Sequence, residues 1–317
     1  MNVVFLGTPE VAVPFLQAVH DAGHHVPLVI TNPDRPAGRD RTPRPTPVKK
    51  LAQEIGLTVY QPRSPRRPSF LQRVVDAAPD ILVVVAYGRI LPVGVLEAAA
   101  HGAVNVHFSL LPKYRGAAPV QWALVHGETV TGVTTMKLDR GMDEGDVLLQ
   151  SELPILPGEH TPSLFHRLVE AGVPLLRETL SGLDQGSLVP RPQDHGEATY
   201  APIISRQDGE PHPSVPAPML EGLVRGFDPW PGVWFARGGT RIRIRKAHAA
   251  PGATHRGLDG TVLGLEEDSV HLACGEGTVL AVTAVQPEGK RQMTAEDAVN
   301  GRQLAVGDVL EGVATDG

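Results

Sequence analysis

The chain has 317 residues, a formal net charge of −6 and a hydrophobic fraction of 41%, which together favour about two soluble globular domains. The negative charge excludes a general attraction to nucleic acid, so RNA binding would need a local basic patch. The one cysteine, Cys274, excludes an internal disulfide, and its apolar neighbours favour a buried structural thiol. The first residues lack the basic flank of a signal peptide, and no apolar stretch reaches the ~20 residues that cross a bilayer. We therefore expect a cytoplasmic protein without membrane segments.

The first half of the chain alternates predicted strands and helices. Thr8 and Pro9 follow the first strand and are predicted to begin the first helix, with Thr8 as its N-cap. Strands that alternate with helices favour a mostly parallel sheet in a doubly wound α/β fold. The first turn lacks the Gly-x-Gly-x-x-Gly pattern, so a dinucleotide site is poorly supported. The predicted strands lie at 2–6, 26–31, 57–61, 81–86 and 103–107, and further helices at 47–55 and 69–77.

The second half begins with strands predicted at 130–138 and 147–153 and a long helix predicted at 161–183. A segment rich in proline and polar residues then predicts a linker at 189–206, which ends a first domain at 1–188. Short strands separated by glycine turns follow and predict a small, OB-like β-barrel domain at 207–317. These strands are predicted at 230–235, 240–246, 260–265, 270–274 and 279–285.

The strand that ends at His107 carries the clearest chemical signal. Side chains alternate along a strand, so Asn105 and His107 point to the same side. Ligands of such sheets lie at the carboxyl ends of the strands, and two neutral hydrogen-bonding groups there suit a developing oxyanion. The apolar Leu110-Leu111-Pro112 loop that follows is predicted to line a pocket. The alternative is a structural histidine.

A loop rich in acids lies between the two strands of the second half. Composition alone does not single out one of its four acids, Asp139, Asp143, Glu144 and Asp146. A solvated acidic turn is one interpretation. A calcium loop would need a denser and more regular array of oxygens. Since the chain also lacks a Cys cluster or a His-Glu-x-x-His motif, we expect no metal.

Several segments, taken together, resemble the methionyl-tRNA formyltransferase family, a branch of the formyltransferases that use 10-formyltetrahydrofolate. The resemblance runs nearly from end to end. Its motifs are Gly7-Thr8-Pro9-Glu10, Pro33-Asp34-Arg35-Pro36-Ala37-Gly38-Arg39, Ala86-Tyr87-Gly88-Arg89-Ile90-Leu91-Pro92, Asn105-Val106-His107, Ser109-Leu110-Leu111-Pro112, Gly141-Met142-Asp143-Glu144-Gly145-Asp146, Pro229-Trp230-Pro231-Gly232 and Gln286-Pro287-Glu288-Gly289-Lys290.

The resemblance implies a Rossmann-like formyltransferase domain and formyl transfer from 10-formyltetrahydrofolate, a co-substrate, to the amino group of initiator methionyl-tRNA. The catalytic Asn, His and Asp of the family fall on Asn105, His107 and Asp143. Asn105 and His107 would bond to the tetrahedral oxyanion, and Asp143 would orient His107 and help to move the proton. The folate-contacting stretches of the family fall on Ser109, Leu110, Leu111, Pro112, Arg89, Ile90 and Leu91.

Two arginine groups are predicted to contact tRNA, and a monomer is expected. The resemblance implies that the basic loop with Arg39, Arg41 and Arg44 contacts the acceptor end of the tRNA. Phosphates there attract arginine whatever the base sequence. In isolation this loop suggests only a surface loop. A later strand alternates Arg241, Arg243 and Arg245 with isoleucines, which predicts a basic face or simply an exposed one.

Two positions and one cluster depart from this scheme. Phe108 stands where the family often has a small residue, and a ring of that size can reshape the pocket wall. Ile203 stands where the family usually has a lysine, which weakens a tRNA contact there. The cluster of Arg63, Arg66 and Arg67 has no assignment.

Two other functions stay open at this point. One is formyl transfer to a small amine, such as a nucleotide or an amino sugar, although the arginine loop and the β-domain would then lack a purpose. The other is a non-catalytic protein that binds RNA or senses folate.

Overall fold

A computed structural model of the chain describes residues 1–37 and 42–312. The chain divides into two compact units. The first comprises Met1–Ala117, Val130–Pro154 and Phe165–Ala201. The second comprises Ala118–Thr129, Ile155–Leu164 and the residues from Pro202 onward, so it includes two segments that lie in sequence between parts of the first unit. The domain boundaries at 188 and 207 stay a prediction.

A seven-stranded sheet forms the centre of the first unit. Its order is β10-β9-β7-β6-β1-β2-β5. The five strands from β7 to β5 are parallel, and β9 and β10 are antiparallel to their neighbours, so the expected Rossmann-like α/β fold is confirmed. The strands of this unit are β1 (Asn2–Gly7), β2 (His25–Ile30), β3 (Arg35–Ala37), β4 (Thr42–Arg44), β5 (Val59–Tyr60), β6 (Ile81–Val85), β7 (Ala103–His107), β8 (Arg115–Gly116), β9 (Val130–Lys137), β10 (Val147–Pro154) and β11 (Tyr200–Ala201).

Eight helices are described in the two units. Proline at the first or second helical position starts six of them, where its missing N–H costs little. Thr46 caps the second by accepting a hydrogen bond from the Lys49 backbone N–H at 3.2 Å. The helices are α1 (Val13–Asp21), α2 (Pro47–Glu54), α3 (Pro68–Asp76), α4 (Val93–Leu96), α5 (Pro119–Val125), α6 (Thr161–Asp184), α7 (Ala217–Gly226) and α8 (Ala295–Asn300). None of these described helices is long and apolar enough to span a membrane.

The prediction for Thr8 as an N-cap is wrong. A short 3-10 turn, Glu10–Ala12, precedes α1, and its N-cap is Pro9, without a side-chain cap. The Thr8 hydroxyl instead accepts a hydrogen bond from Asn32 Nδ2 at 3.0 Å. A tertiary partner at the end of β2 has replaced the local capping interaction.

The strands of the second unit form an antiparallel sheet in the order β12-β13-β16-β15-β14. The Ala236 carbonyl of β12 accepts from the Glu311 N–H at 2.8 Å, and the Val262 N–H of β14 donates to the Asp308 carbonyl at 2.8 Å. The same C-terminal segment therefore joins both edge strands and closes the sheet, as a barrel requires. The strands are β12 (Val233–Arg237), β13 (Thr240–Thr254), β14 (Val262–Glu266), β15 (Ser269–Ala273), β16 (Thr278–Pro287) and β17 (Met293–Thr294).

Candidate active site

The side chains of Asn105 and His107 lie on β7, the last of the parallel strands. Asn105 pairs with Val84 of β6 on one side, and His107 pairs with Thr134 of β9 on the other. His107 is buried, with 5% of its surface exposed, whereas Asn105 is half-buried. The β7 strand is parallel to β6 and antiparallel to β9, so Asn105 and His107 lie where the strand direction in the sheet changes.

The imidazole of His107 is held between a carbonyl and a carboxylate. Nε2 lies 2.9 Å from the Tyr114 carbonyl oxygen, and Nδ1 lies 3.6 Å from Asp143 Oδ2. A carbonyl only accepts, so Nε2 is the protonated ring nitrogen in this contact. Nδ1 therefore faces the carboxylate, and it carries a proton toward Asp143 only when the ring is an imidazolium.

Asp143 is the acid that the structure selects from the four in its loop. Its Oδ2 accepts a hydrogen bond from the Gly116 N–H at 2.9 Å and is the same oxygen that faces His107. Its φ is 54°, a left-handed conformation that costs a non-glycine residue about 1–3 kcal/mol and requires support from its surroundings. The structure thus brings His107 and Asp143 together, as the resemblance implies.

The Ser109–Pro112 loop is held by hydrogen bonds of the Ser109 hydroxyl and of Thr134 on β9. The Ser109 hydroxyl is fully buried and donates to the Lys113 carbonyl at 2.6 Å. Thr134 Oγ1 donates to the Ser109 carbonyl at 2.6 Å and accepts from the Leu111 N–H at 3.2 Å. Leu111 is buried, while Leu110 and Pro112 are half-buried. The serine therefore stabilises the loop, and its predicted contact with folate stays a prediction.

The other stretch predicted to contact folate has three different environments. Arg89 Nη1 donates to the Arg63 carbonyl at 2.7 Å. Ile90 is 80% exposed, and Leu91 is buried in the hydrophobic core beneath β6. Ile90 is therefore the apolar side chain of this stretch that is available to a ligand.

The ring of Phe108 does not form a wall on the His107 side of β7. It makes edge-on contacts with Phe15 of α1 at 6.1 Å and Phe165 of α6 at 5.5 Å between ring centroids. These contacts direct the ring toward α1 and α6. The larger residue is accommodated in the core between helices of the first unit.

The arginines of β13 all have acidic partners. Arg241 Nη2 lies 2.8 Å from Glu210, and Arg245 Nη1 lies 3.3 Å from Asp228. Arg243 lies 3.6 Å from the same Asp228 and over the ring of Trp234, and burial lowers the pKa of its guanidinium. Their positive charge is therefore largely compensated within the unit, and their tRNA contact stays a prediction.

The arginines of the basic loop are only partly described. Arg44 lies on β4 and is exposed. Arg39 and Arg41 lie outside the described residues. Among residues 1–37 and 42–312, the structure shows no group of three side chains that could hold a metal ion.

Two residues near Asp143 were missed by the sequence analysis. Arg115 is 1% exposed and Gln193 is 7% exposed, and both contact the loop that carries Asp143, Arg115 through Glu144 and Gln193 through the Asp143 carbonyl. Gln193 lies in the segment predicted as a linker. The backbone of Arg191, two residues earlier, is paired with Val147 at 2.8 Å in both directions. No local pattern marks Gln193, because its partners in the loop are 50 and 48 residues away and Arg115 is 78 residues away.

Family models match both parts of the chain. One model, described as formyl transferase, matches residues 1–180, and another, described as formyl transferase, C-terminal domain, matches residues 204–303. The chain is 45% identical to the methionyl-tRNA formyltransferase of Acidobacterium capsulatum over 96% of this chain and 98% of that protein. It is also 45% identical to the methionyl-tRNA formyltransferase of Myxococcus xanthus over 96% of each chain.

Solved structures share the fold at lower identity. An N-formyltransferase from Helicobacter canadensis, in complex with folinic acid and dTDP-3-aminofucose, is 17% identical with a TM-score of 0.68. The similarity covers 89% of this chain and 98% of that one. Glycinamide ribonucleotide transformylase 1 from Symbiobacterium toebii is 23% identical with a TM-score of 0.52, over 61% of this chain and 94% of that one.

Proposed function

The chain belongs to the formyl transferase family, and we propose that Asn105, His107 and Asp143 are the groups with which it transfers a formyl group. The reaction takes that group from 10-formyltetrahydrofolate and places it on the α-amino group of methionine esterified to initiator tRNA. The formylated methionyl-tRNA then serves translation initiation.

The observation that carries this function is the similarity to methionyl-tRNA formyltransferases along almost the whole chain, at 39–45% identity. It includes the second unit, where the C-terminal formyl transferase model matches residues 204–303. The glycinamide ribonucleotide enzyme, by comparison, covers 61% of this chain. The Helicobacter canadensis N-formyltransferase matches 89% of this chain but at only 17% identity, so the higher identity to the tRNA enzymes, and not the second unit alone, favours initiator tRNA as the substrate.

The chemistry begins when the uncharged methionyl amine attacks the formyl carbon. A carbon–nitrogen bond forms, the formyl carbon becomes tetrahedral, and its oxygen becomes an oxyanion. The Asn105 amide donates a hydrogen bond to that oxyanion, and one such preorganised donor is worth about 3–4 kcal/mol of barrier. The bond to N10 of the folate then breaks, and tetrahydrofolate leaves.

The proton lost by the attacking amine must reach the leaving nitrogen. The resemblance also implies a hydrogen bond from His107 to the oxyanion, but Nε2 already donates to the Tyr114 carbonyl. The side of the ring that faces Asp143 is therefore the one that can hold a proton in transit. The Gly116 N–H orients the Asp143 carboxylate toward the ring. We assign to this pair the transfer of the proton from amine to leaving nitrogen, a role that typically contributes 10²–10⁴-fold to the rate.

We assign the folate co-substrate to the two stretches for which the resemblance implies a folate contact. The half-buried Leu110 and Pro112 and the exposed Ile90 present apolar groups to a flat ring. The Ser109 hydroxyl, already bonded to its own loop, would keep the loop in shape for that ring. Arg89 would flank the same ligand while bonded to the Arg63 carbonyl.

The partner is initiator methionyl-tRNA, and the enzyme acts as a monomer in the cytoplasm. One chain supplies Asn105, His107 and Asp143, so no second copy is needed to complete the site. The unpaired, buried Cys274 suits a reducing compartment. Arg39, Arg41 and Arg44 provide the local positive charge that a chain of net charge −6 needs to approach RNA.

A substrate competition assay tests the function. The purified chain is given 10-formyltetrahydrofolate with charged initiator tRNA, charged elongator methionine tRNA, glycinamide ribonucleotide or an amino-sugar nucleotide. We expect N-formylmethionine, released by deacylation, from the initiator tRNA at the highest kcat/KM. Faster formylation of either small amine would contradict the assignment, and so would binding of RNA without any transfer.

A further inference from the structure

The loop that carries Asp143 is held from outside by one side-chain amide. Gln193 Nε2 donates to the Asp143 carbonyl at 2.8 Å and to the Gly145 carbonyl at 2.7 Å. One NH₂ group therefore ties together two carbonyls on either side of Glu144. A side chain at Gly145 would collide with the Lys137 carbonyl, so the loop is also pressed close to β9 at this point.

The orientation of that amide is set by a buried arginine. Gln193 Oε1 accepts from Arg115 Nε at 3.1 Å and from Arg115 Nη2 at 2.8 Å. A guanidinium can only donate, so the amide must turn its oxygen to Arg115 and its NH₂ to the loop. Arg115 also lies 3.8 Å from Glu144 and 3.2 Å from His195 Nδ1, which limits its own movement.

The same short segment holds the carboxylate of Asp143. Gly116, the residue after Arg115, donates its N–H to Asp143 Oδ2, and Tyr114, the residue before it, accepts from the His107 ring. The backbone of Asp143 and its side chain are thus fixed through neighbouring residues of β8. Gln193 thus supplies a hydrogen bond from outside the loop to the backbone of Asp143, whose φ is 54°.

We infer that Gln193 is a positioning residue for Asp143: its amide, oriented by Arg115, keeps the carboxylate facing His107. This inference rests on the proposed role of Asp143. In this inference the Gln193 amide contacts neither substrate, and it affects the chemical step through the position of the Asp143 carboxylate.

A double-mutant cycle tests the inference. Gln193→Met keeps the volume of the side chain and removes all four hydrogen bonds. Because a misplacement of about 1 Å can cost about 10²-fold in rate, we expect kcat to fall by roughly 10-fold to 100-fold. KM for folate and for tRNA should change by less than about threefold, since no binding contact is removed.

The cycle is completed by the single variant Asp143→Asn and by the double variant that combines it with Gln193→Met. If Gln193 acts through Asp143, kcat of the double variant equals that of Asp143→Asn within about twofold. A general loss of packing would instead multiply the two effects. Gln193→Glu is the second variant: it keeps an oxygen for Arg115 and loses the NH₂ donors, so its kcat should fall as well.

The matched control is Thr179→Val, which removes the buried hydrogen bond at 2.7 Å to Thr135 in the same unit and should lower the melting temperature without changing kcat. Additive effects in the cycle, or parental kcat in both Gln193 variants, would overturn the positioning role and leave the proposed function intact. Parental kcat in Asp143→Asn would overturn the proposed role of Asp143, and the inference with it.

Discussion

At the residue scale, the polar side chains of the site are positioned mainly by backbone groups. His107 donates to the Tyr114 carbonyl and Asp143 accepts from the Gly116 N–H, so two residues of one short segment orient both members of the pair. Tyr114 and Asp143 both have positive φ, 60° and 54°. Strain of about 1–3 kcal/mol at each such residue persists only where the surroundings hold it in place.

The thiol of Cys274 gives a direct test at this scale. Cys274 is fully buried, as the sequence predicts, and burial raises the pKa of its thiol to about 12. Only the thiolate reacts, so at pH 8 the folded chain should react with an aromatic disulfide reagent roughly two to three orders of magnitude more slowly than the chain in denaturant. The variant Cys274→Ala has no thiol and gives the background signal of the reagent. Rapid stoichiometric labelling of the folded protein would contradict this burial.

At the scale of elements, buried strands were the easiest to predict. The unbroken aliphatic run of β6 is buried along its whole length, and β7 has the bounds that its pattern indicates. Thr8 was predicted wrongly because a tertiary partner, Asn32, competes with the local cap. Asp143 could not be chosen from its loop by composition, since only folding brings its carboxylate to 3.6 Å from His107.

The connection between β2 and β3 is held by an ion pair that joins three elements. Asp34 accepts from Lys49 of α2 at 2.6 Å and from Gln61, after β5, at 2.6 Å. These two donors, Lys49 first, lower the pKa of the Asp34 carboxyl below its ordinary value of 3.8. The base of the β3–β4 hairpin, which leads to the basic loop, therefore depends on an ionised carboxylate.

This ion pair predicts a stability difference that depends on pH. At pH 7, Asp34→Asn should lower the free energy of unfolding by on the order of 1 kcal/mol. Because the folded-state pKa is depressed, the stabilisation is present above pH 3.8 and is lost as the pH falls through the lower, folded-state value. Urea unfolding followed by far-UV circular dichroism at pH 7, 5 and 3 measures it.

The control for that experiment is Asp76→Asn, at an exposed aspartate of α3 that accepts from Gln72. We expect little change in its free energy of unfolding at any of the three pH values. A gap between the parent and Asp34→Asn that stays the same from pH 7 to pH 3 would show that the carboxylate is not stabilised by Lys49 and Gln61.

At the scale of the whole molecule, the residues proposed for catalysis belong to one of the two units. Asn105, His107, Asp143 and their supports all belong to the first unit. All three tryptophans, Trp122, Trp230 and Trp234, belong to the second, so their fluorescence reports on that unit. With a net charge of −6 and compensated arginines on β13, attraction to tRNA must come from local groups and should weaken with salt.

The central claim is that Asn105, His107 and Asp143 act together on the formyl carbon, and single-turnover formyl transfer tests it most directly. With enzyme in excess over charged initiator tRNA and with saturating 10-formyltetrahydrofolate, we predict that His107→Ala slows the transfer about 10²–10⁴-fold while the circular dichroism spectrum and the tRNA affinity stay at parental values. A transfer rate near that of the parent in this folded variant would contradict the account.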